Sequence, residues 1–387
     1  MTHRERALAV LRYEPYDRLP IVHFGFWEET LAKWHQEGHV TLEEMRDWKD
    51  GNPADQSISA KLGFDFDWAS TYEPNCDLFP PFEEIVLETL PDGGRKVRDK
   101  EGVVVLKKDD AISIPTEIDH LLKTREDWEK EYLPRLQYAD ERLQASQVNV
   151  NAIMRPFYEG GLEFLQQPPA QRELPIGLYC GSLIGRMRNI VGLVELSYLV
   201  VDDPGLCGEM IDTFGNLAYT CIERVLASGA QFDFAHFWED ICYRSGPLVN
   251  PKLFREKVAP HYRRITDLLR QHGITIVSVD CDGKIDKLVP IWLEHGVNTM
   301  FPIEVGTWNA SIAPWRQQYG KALLGVGGMN KTVFAHDRAA IDAEIERLKP
   351  LIELGGYIPC PDHRIAPDAK WENVQYYCDR MRAVFGA

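Results

Sequence analysis

From Leu174 onward the chain alternates short, almost wholly apolar runs with segments of helical length. The runs are Pro175–Cys180, Phe232–Phe237, Thr275–Asp280, Thr299–Pro302, Ala322–Val326 and Tyr357–Cys360. Apolar runs this short predict strands covered on both faces, and the long segments between them predict the crossover helices of a parallel sheet. One such segment opens with Asn250 as N-cap and Pro251 at the first helical position, and stops near Gly273. Ile21–Phe24 predicts an early strand, and another is expected between residues 60 and 170. The count approaches eight, so the pattern predicts a (β/α)8 TIM barrel rather than a doubly wound open sheet, with residues 1–387 as one domain.

The first third reads differently. Thr2 followed by Glu5 predicts a capping box that opens a short helix through about Arg12, the start of an N-terminal helical arm. Within residues 84–108, three alternating runs (Ile85–Leu90, Arg95–Asp99 and Val103–Lys107) are separated by Pro91-Asp92-Gly93-Gly94 and Lys100-Glu101-Gly102. That turn chemistry predicts a small inserted antiparallel β meander with one face buried. Glu5, Glu28, Glu29, Glu43 and Glu44 read as solvated charge on exposed helical faces.

Composition narrows the function. A chain of 387 residues that is 44% hydrophobic is long enough for a large α/β core. Its net charge of −16 repels phosphate backbones, and no basic stripe interleaved with aromatics offsets it, so nucleic acid is excluded as a partner. No apolar run reaches the length of a membrane span, and the N-terminus lacks an apolar signal region, so a cytoplasmic location is expected. The eight cysteines follow no zinc-finger or C-x-x-C spacing and read as mostly buried thiols.

Three polar clusters stand where predicted strands end: His236-Phe237-Trp238-Glu239-Asp240, Asp280-Cys281-Asp282-Gly283, and Pro361-Asp362-His363-Arg364. Parallel barrel strands present their C-terminal ends to one face, so these clusters are expected to converge on one active site. Asp280 and Asp282 suit a divalent metal, an acid/base pair or a grip on a polar substrate edge. A helix cap explains one such acid and leaves the second unexplained. His236, Glu239 and Asp240 offer a base, a ligand and an acid, with Trp238 as an aromatic wall; the alternative is a helix-capping Asp240 and a core His236. Pro361 and Pro367 stiffen the loop that carries His363, where the alternative has Asp362 and His363 bonding backbone groups. Glu304 is a further strand-end acid in the same layer. Gly325-Val326-Gly327-Gly328-Met329-Asn330-Lys331-Thr332 approaches a phosphate-binding loop, but Asn330 replaces its last glycine. The stretch therefore reads as a glycine-rich loop that turns Lys331 towards the pocket.

These residues resemble the uroporphyrinogen decarboxylase superfamily, which contains decarboxylases and cobamide-dependent methyltransferases on a (β/α)8 barrel. The resemblance rests on Arg4-Glu5-Arg6-Ala7-Leu8, Asp17-Arg18-Leu19-Pro20-Ile21, Gly246-Pro247-Leu248-Val249-Asn250-Pro251, Glu294-His295-Gly296-Val297-Asn298, Gly325–Gly328, Gly355-Gly356-Tyr357 and Glu372-Asn373. The arginine-rich R-Q-A-G-R run with which the haem enzyme holds its polycarboxylate is replaced by His23-Phe24-Gly25-Phe26-Trp27-Glu28-Glu29, whose acids repel that substrate. The methyltransferase branch carries an H-x-C zinc motif and a Cys on its last strand. Asp280 and Asp282 occupy the first pair of positions and Cys360 the last, which makes a harder and thiolate-poor ligand set.

The resemblance implies an enzyme closer to the methyltransferases, moving a methyl group between a small substrate and a corrinoid carried by a partner protein. The expected catalytic residues are His236, Glu239, Asp240, Asp282, His363 and Lys331. Trp238, Arg186, Glu304, Tyr357, Asp362 and Arg364 are expected to bind substrate. Asp280, Asp282, Glu239 and Cys360 are candidate ligands for zinc, with a metal-free site as the alternative. A cofactor-free decarboxylase, drawing on Arg155, Arg186, Arg188 and Arg364 for carboxylate contacts, is the same-fold rival. A non-catalytic corrinoid or tetrapyrrole carrier is the other, although the chain lacks D-x-H-x-x-G. A monomer or homodimer is expected.

Overall fold

In the computed structural model, residues 1–108 and 115–386 are described. The fold is α/β around a parallel sheet. Strands β1 (Val22–His23) and β2 (Phe66–Asp67) pair with each other, and a seven-stranded sheet runs from β3 (Thr71–Tyr72) through β4 (Gly177–Tyr179), β5 (Phe234–Trp238), β6 (Val277–Asp280), β7 (Thr299–Phe301) and β8 (Leu324–Met329) to β9 (Tyr357–Pro361). Every neighbouring pair is parallel. The hydrogen-bonded ladder is not continuous among the described residues. Residues 68–70 separate β2 from β3, and a single parallel bridge, Phe26 to Ile365, joins the segment after β1 to the segment after β9.

The strand hidden between residues 60 and 170 is this β2/β3 segment, whose two halves pair with different neighbours. It escaped a periodicity search because each half is only two residues long. The predicted strand positions otherwise hold to within a few residues, except that Gly325–Met329 belong to β8 rather than to a loop. The glycines there admit a close neighbour: a Cβ on Gly327 would lie 1.7 Å from the Pro302 carbonyl oxygen.

Register fixes which side chains share a face, because strand side chains alternate with a period of two. Tyr179, His236, Ser278 and Thr299 are in line across β4 to β7, and Trp238, Asp280 and Phe301 form the next line towards the C-terminal ends. The opposite face packs on helices: Phe237 meets Tyr262 edge-on at 4.8 Å. Tyr262 lies on α4 (Ala259–Gln271), which follows α1 (His3–Leu11), α2 (Pro53–Leu62) and α3 (Gly185–Val191) in chain order. The capping box predicted for α1 is present.

Between β3 and β4 a four-stranded antiparallel sheet contains Ile85–Thr89, Arg95–Arg98, Val103–Lys107 and Thr116–His120. Its own small core is Val97, Val103 and Val105. The fourth strand lies beyond the three runs that the sequence pattern marks. All eight cysteines are buried free thiols. Among the described residues no helix is long and apolar enough to cross a membrane.

Candidate functional site

The strand ends bring together Asp280, Asp282, Asp240, Glu304, His363 and Lys331. His363 Nδ1 accepts the Arg364 backbone N–H at 2.8 Å, which leaves its proton on Nε2. That Nε2–H donates to Asp282 Oδ2 at 3.0 Å. Trp27 stacks on the imidazole with centroids 5.3 Å apart, and Phe24 flanks it. Asp282 Oδ1 is buried and has no hydrogen-bond partner. In this tautomer His363 directs its one ring proton at Asp282 and so orients that carboxylate.

Burial, with Asp282 and Asp240 nearby, pushes the Asp280 carboxyl well above the usual carboxylate range. Asp240 is raised for the same first reason, with Asp282 adding to it and Arg188, 3.4 Å away, opposing it. Glu304 is raised by burial and by Asp282, while the Gly283 backbone N–H and the Thr307 hydroxyl donate to it. Burial lowers the Lys331 ammonium even though Asp362, Asp282 and Glu304 face it. Burial and mutual repulsion therefore favour the protonated form of Asp280, Asp240 and Glu304 relative to free carboxyls.

Other expected site residues take structural positions. Glu239 is fully buried and accepts the backbone N–H groups of Leu183 (2.9 Å), Ile184 (3.1 Å) and Gly185 (2.8 Å), the Ser182 hydroxyl and the Tyr262 hydroxyl. Its oxygens cap the entry to α3, and burial raises its carboxyl above the usual range although these donors oppose the rise. Tyr357 is 1% exposed and donates to the Gly327 carbonyl at 2.7 Å. Three residues from Cys360 on the same strand, it faces the opposite side of the sheet and is no pocket wall. Asp362 accepts the backbone N–H groups of Gly306 (2.8 Å) and Lys331 (3.1 Å), which ties three strand-end loops together. His236 is buried against the Ser278 hydroxyl at 2.7 Å, and burial pushes it down to about 3, so it is a neutral core histidine.

The arginines of the mouth are already matched. Arg364 grips Asp50 in a bidentate pair at 2.7 and 2.6 Å. Arg186 lies 3.0 Å from Asp77 and 2.8 Å from Glu101, with its guanidinium 5.1 Å from the Trp238 ring centre. Arg188 faces Asp240. Arg155 is exposed on the Ile153–Pro156 strand, away from these strand ends.

The expected metal set of Asp280, Asp282, Glu239 and Cys360 is not gathered. Among the described residues, the group of three with ligand-type atoms within 4.8 Å of one another is His23, Asp55 and Asp67. Sequence reasoning missed it because its members come from β1, α2 and β2 and no short spacing links them. His23 Nδ1 accepts the Gly25 N–H at 2.9 Å, so Nε2 carries the proton towards the Ser59 hydroxyl at 2.7 Å. That tautomer offers no lone pair at Nε2, 3.7 Å from Asp55 Oδ2. The chain's residues therefore do not fit the zinc set of the methyltransferase branch.

A parallel α/β sheet with its titratable cluster at the strand ends defines the class of the protein. Residues 170–384, more than half of the chain, match the family model described as uroporphyrinogen decarboxylase (URO-D), and the chain belongs to that family. A solved methyltransferase from Methanosarcina mazei is similar over 99% of both chains at 16% identity, with a TM-score of 0.60. The putative vitamin-B12 independent methionine synthase from Listeria monocytogenes is similar at 12% identity over 96% of this chain and 99% of that one, with a TM-score of 0.39. No curated protein matches the sequence.

Proposed function

We propose that the protein is a methyltransferase of this family that takes a methyl group from a small neutral or cationic substrate at the strand-end mouth and gives it to the cobalt of a corrinoid carried by a partner protein. The observation that carries this reading is the cluster of buried Asp280 and Glu304 with half-buried Asp240 and Asp282, in which carboxyls outnumber free cations. A mouth of this charge repels carboxylated substrates, and its arginines are already paired with acids, which disfavours the decarboxylase reading. It suits a methylated amine or a methyl ether. We read β2 and β3 as one interrupted strand, which makes the sheet an eight-stranded (β/α)8 barrel with this cluster at its C-terminal end.

A reduced corrinoid on the partner protein would supply the electron pair that takes the methyl carbon. The bond from that carbon to nitrogen or oxygen breaks, and its pair goes to the heteroatom. An ether oxygen then needs a proton, which the buried Asp280 carboxyl supplies, while His363 holds Asp282 beside it. A general acid works only while protonated, so for ether donors activity is present at low pH and lost as pH rises through the raised Asp280 value.

Under anaerobic conditions, the test mixes purified protein with cob(I)alamin, the free reduced corrinoid, and a panel of methylamines and aryl methyl ethers. The expected result is methylcobalamin from at least one donor, with Asp280→Asn slower on an ether by about 10²-fold or more. Unreacted cob(I)alamin with every donor, together with carbon dioxide release from an acidic tetrapyrrole, would overturn the reading.

A further inference from the structure

Across the mouth from the strand-end cluster stands an acid that the sequence pattern did not mark. Glu73 directly follows β3, and Thr71 Oγ1 lies 3.4 Å from its Oε1, so the two side chains share one face of the strand. That face is the inner one. A Cβ on Gly177, which pairs with Thr71, would meet the Thr71 methyl at 2.7 Å and the Phe234 ring at 2.5 Å. Phe234 points the same way as His236, two residues on. Continuing the β3–β4 register by one residue sets Glu73 beside Tyr179. Half-buried Trp238 follows on β5, level with Asp280.

Neither polar group of this side is matched. Tyr179 is 8% exposed, and among the described residues no hydrogen bond meets its hydroxyl, on which Asp77, Arg186 and Glu73 act. Glu73 is solvent-exposed, so a solute reaches it, yet burial, then Asp50 and Asp77, push its carboxyl up to about 7. An acid that water touches and protein nevertheless surrounds lies in a concavity. Arg186 is the cation that acts on it, but Arg186 is held 3.0 Å from Asp77 and 2.8 Å from Glu101, and Arg364 is held by Asp50. Three acids thus engage the two arginines, and Glu73 is the carboxyl left over. Asp50 acts on both Glu73 and Asp280, so the two sides open on one mouth.

We propose that Glu73 and Tyr179 hold a small protonated methylamine, its N–H shared between the Glu73 carboxylate and the Tyr179 oxygen and its methyl groups towards Trp238. The ammonium supplies the donor that both oxygens lack and the charge that Glu73 lacks, and an aromatic face favours a cation beside it. The inference narrows the methyl donor and rests on the methyl-transfer reading for the fate of the methyl group. A nitrogen with four bonds keeps the carbon–nitrogen pair and leaves as a neutral amine, so this donor, unlike an ether, needs no proton from the protein.

The experiment is calorimetric titration of the full chain with trimethylammonium, tert-butanol and trimethylacetate, three solutes of similar bulk and different charge. Trimethylammonium is expected to bind at one equivalent, at least about tenfold more tightly than the alcohol or the anion, since only it forms a charge-assisted pair. Glu73→Gln is expected to weaken the amine by about tenfold or more, and Tyr179→Phe by about threefold. Tyr179→Phe removes a hydroxyl that the fold does not bond, so its urea midpoint is expected to match or exceed that of the wild type, which keeps the test open should Glu73→Gln not fold. Equal binding of amine and alcohol, absence of amine binding, or unchanged amine affinity in both variants would each overturn the proposal. Amine binding that Glu73→Gln weakens, without methylcobalamin from the bound amine or any other donor, would remove the methyl-transfer reading and leave the site. Methylcobalamin from ethers alone, without amine binding, would do the reverse.

Discussion

Glu239 illustrates how a strand-end acid acquires a role that its neighbours in sequence do not reveal. Its partners are the backbone N–H groups of residues 183–185, more than fifty positions away, in the buried turn that enters α3 and at its first residue, where no backbone acceptor meets them. Glu239→Gln keeps the shape but turns an NH2 towards those donors. It is expected to cost about 1–3 kcal/mol, read as a lower urea midpoint. An unchanged midpoint with lost activity would return Glu239 to the catalytic set. The place of Asp280 was legible from sequence, since an acid ending a β-branched run lies at the C-terminal end of its parallel strand. Tyr357 was misplaced for want of parity: Cys360 and Tyr357 are an odd number of residues apart, so they cannot share a face. The His23, Asp55 and Asp67 group was illegible, because only the pairing of β1 with β2 and the docking of α2 bring it together.

At the scale of elements, the glycine-rich stretch shows how one pattern admits two structures. A glycine run before a lysine reads as a loop, but here the glycines belong to a strand pressed against the Ile303 turn. Gly328 N–H donates to the Pro302 carbonyl at 2.9 Å, and Gly327 has a φ of 127°, which L side chains rarely adopt. Gly327→Ala adds a Cβ with nowhere to go between β8 and the Pro302 carbonyl. It is expected to destabilise by about 1–3 kcal/mol or more, or to prevent accumulation of folded protein. A variant as resistant to urea as the wild type would show that the two strands separate readily. The same packing explains why the strands from residue 174 onward were readable while β2 and β3 were not. The later strands are buried on both faces and are mostly apolar, with a few enclosed polar residues such as His236, Ser278 and Thr299, whereas β2 is two residues long and one of them is the outward Asp67.

Across the whole molecule, buried titratable groups of opposite sign set the pH range of the fold. His23 and His236 are held neutral by burial, at about 3, against about 6.5 when unfolded. Their contribution is present above about 6.5 and is lost as pH falls. Asp55 is raised by burial to about 8, beside Asp50, Asp67, His23 and Arg364. Its folded pKa exceeds its unfolded one, so its contribution is full below about 3.9 and is lost as pH rises through 8. Between about 6.5 and 8 the histidine term is constant, and the folded state binds more protons than the unfolded chain. The urea midpoint is therefore expected to fall across that interval, and Asp55→Asn to flatten the fall by removing one group and relieving Asp67. A wild-type midpoint that is flat or rising over this range would contradict the burial of two uncompensated acids, whatever chemistry the mouth performs.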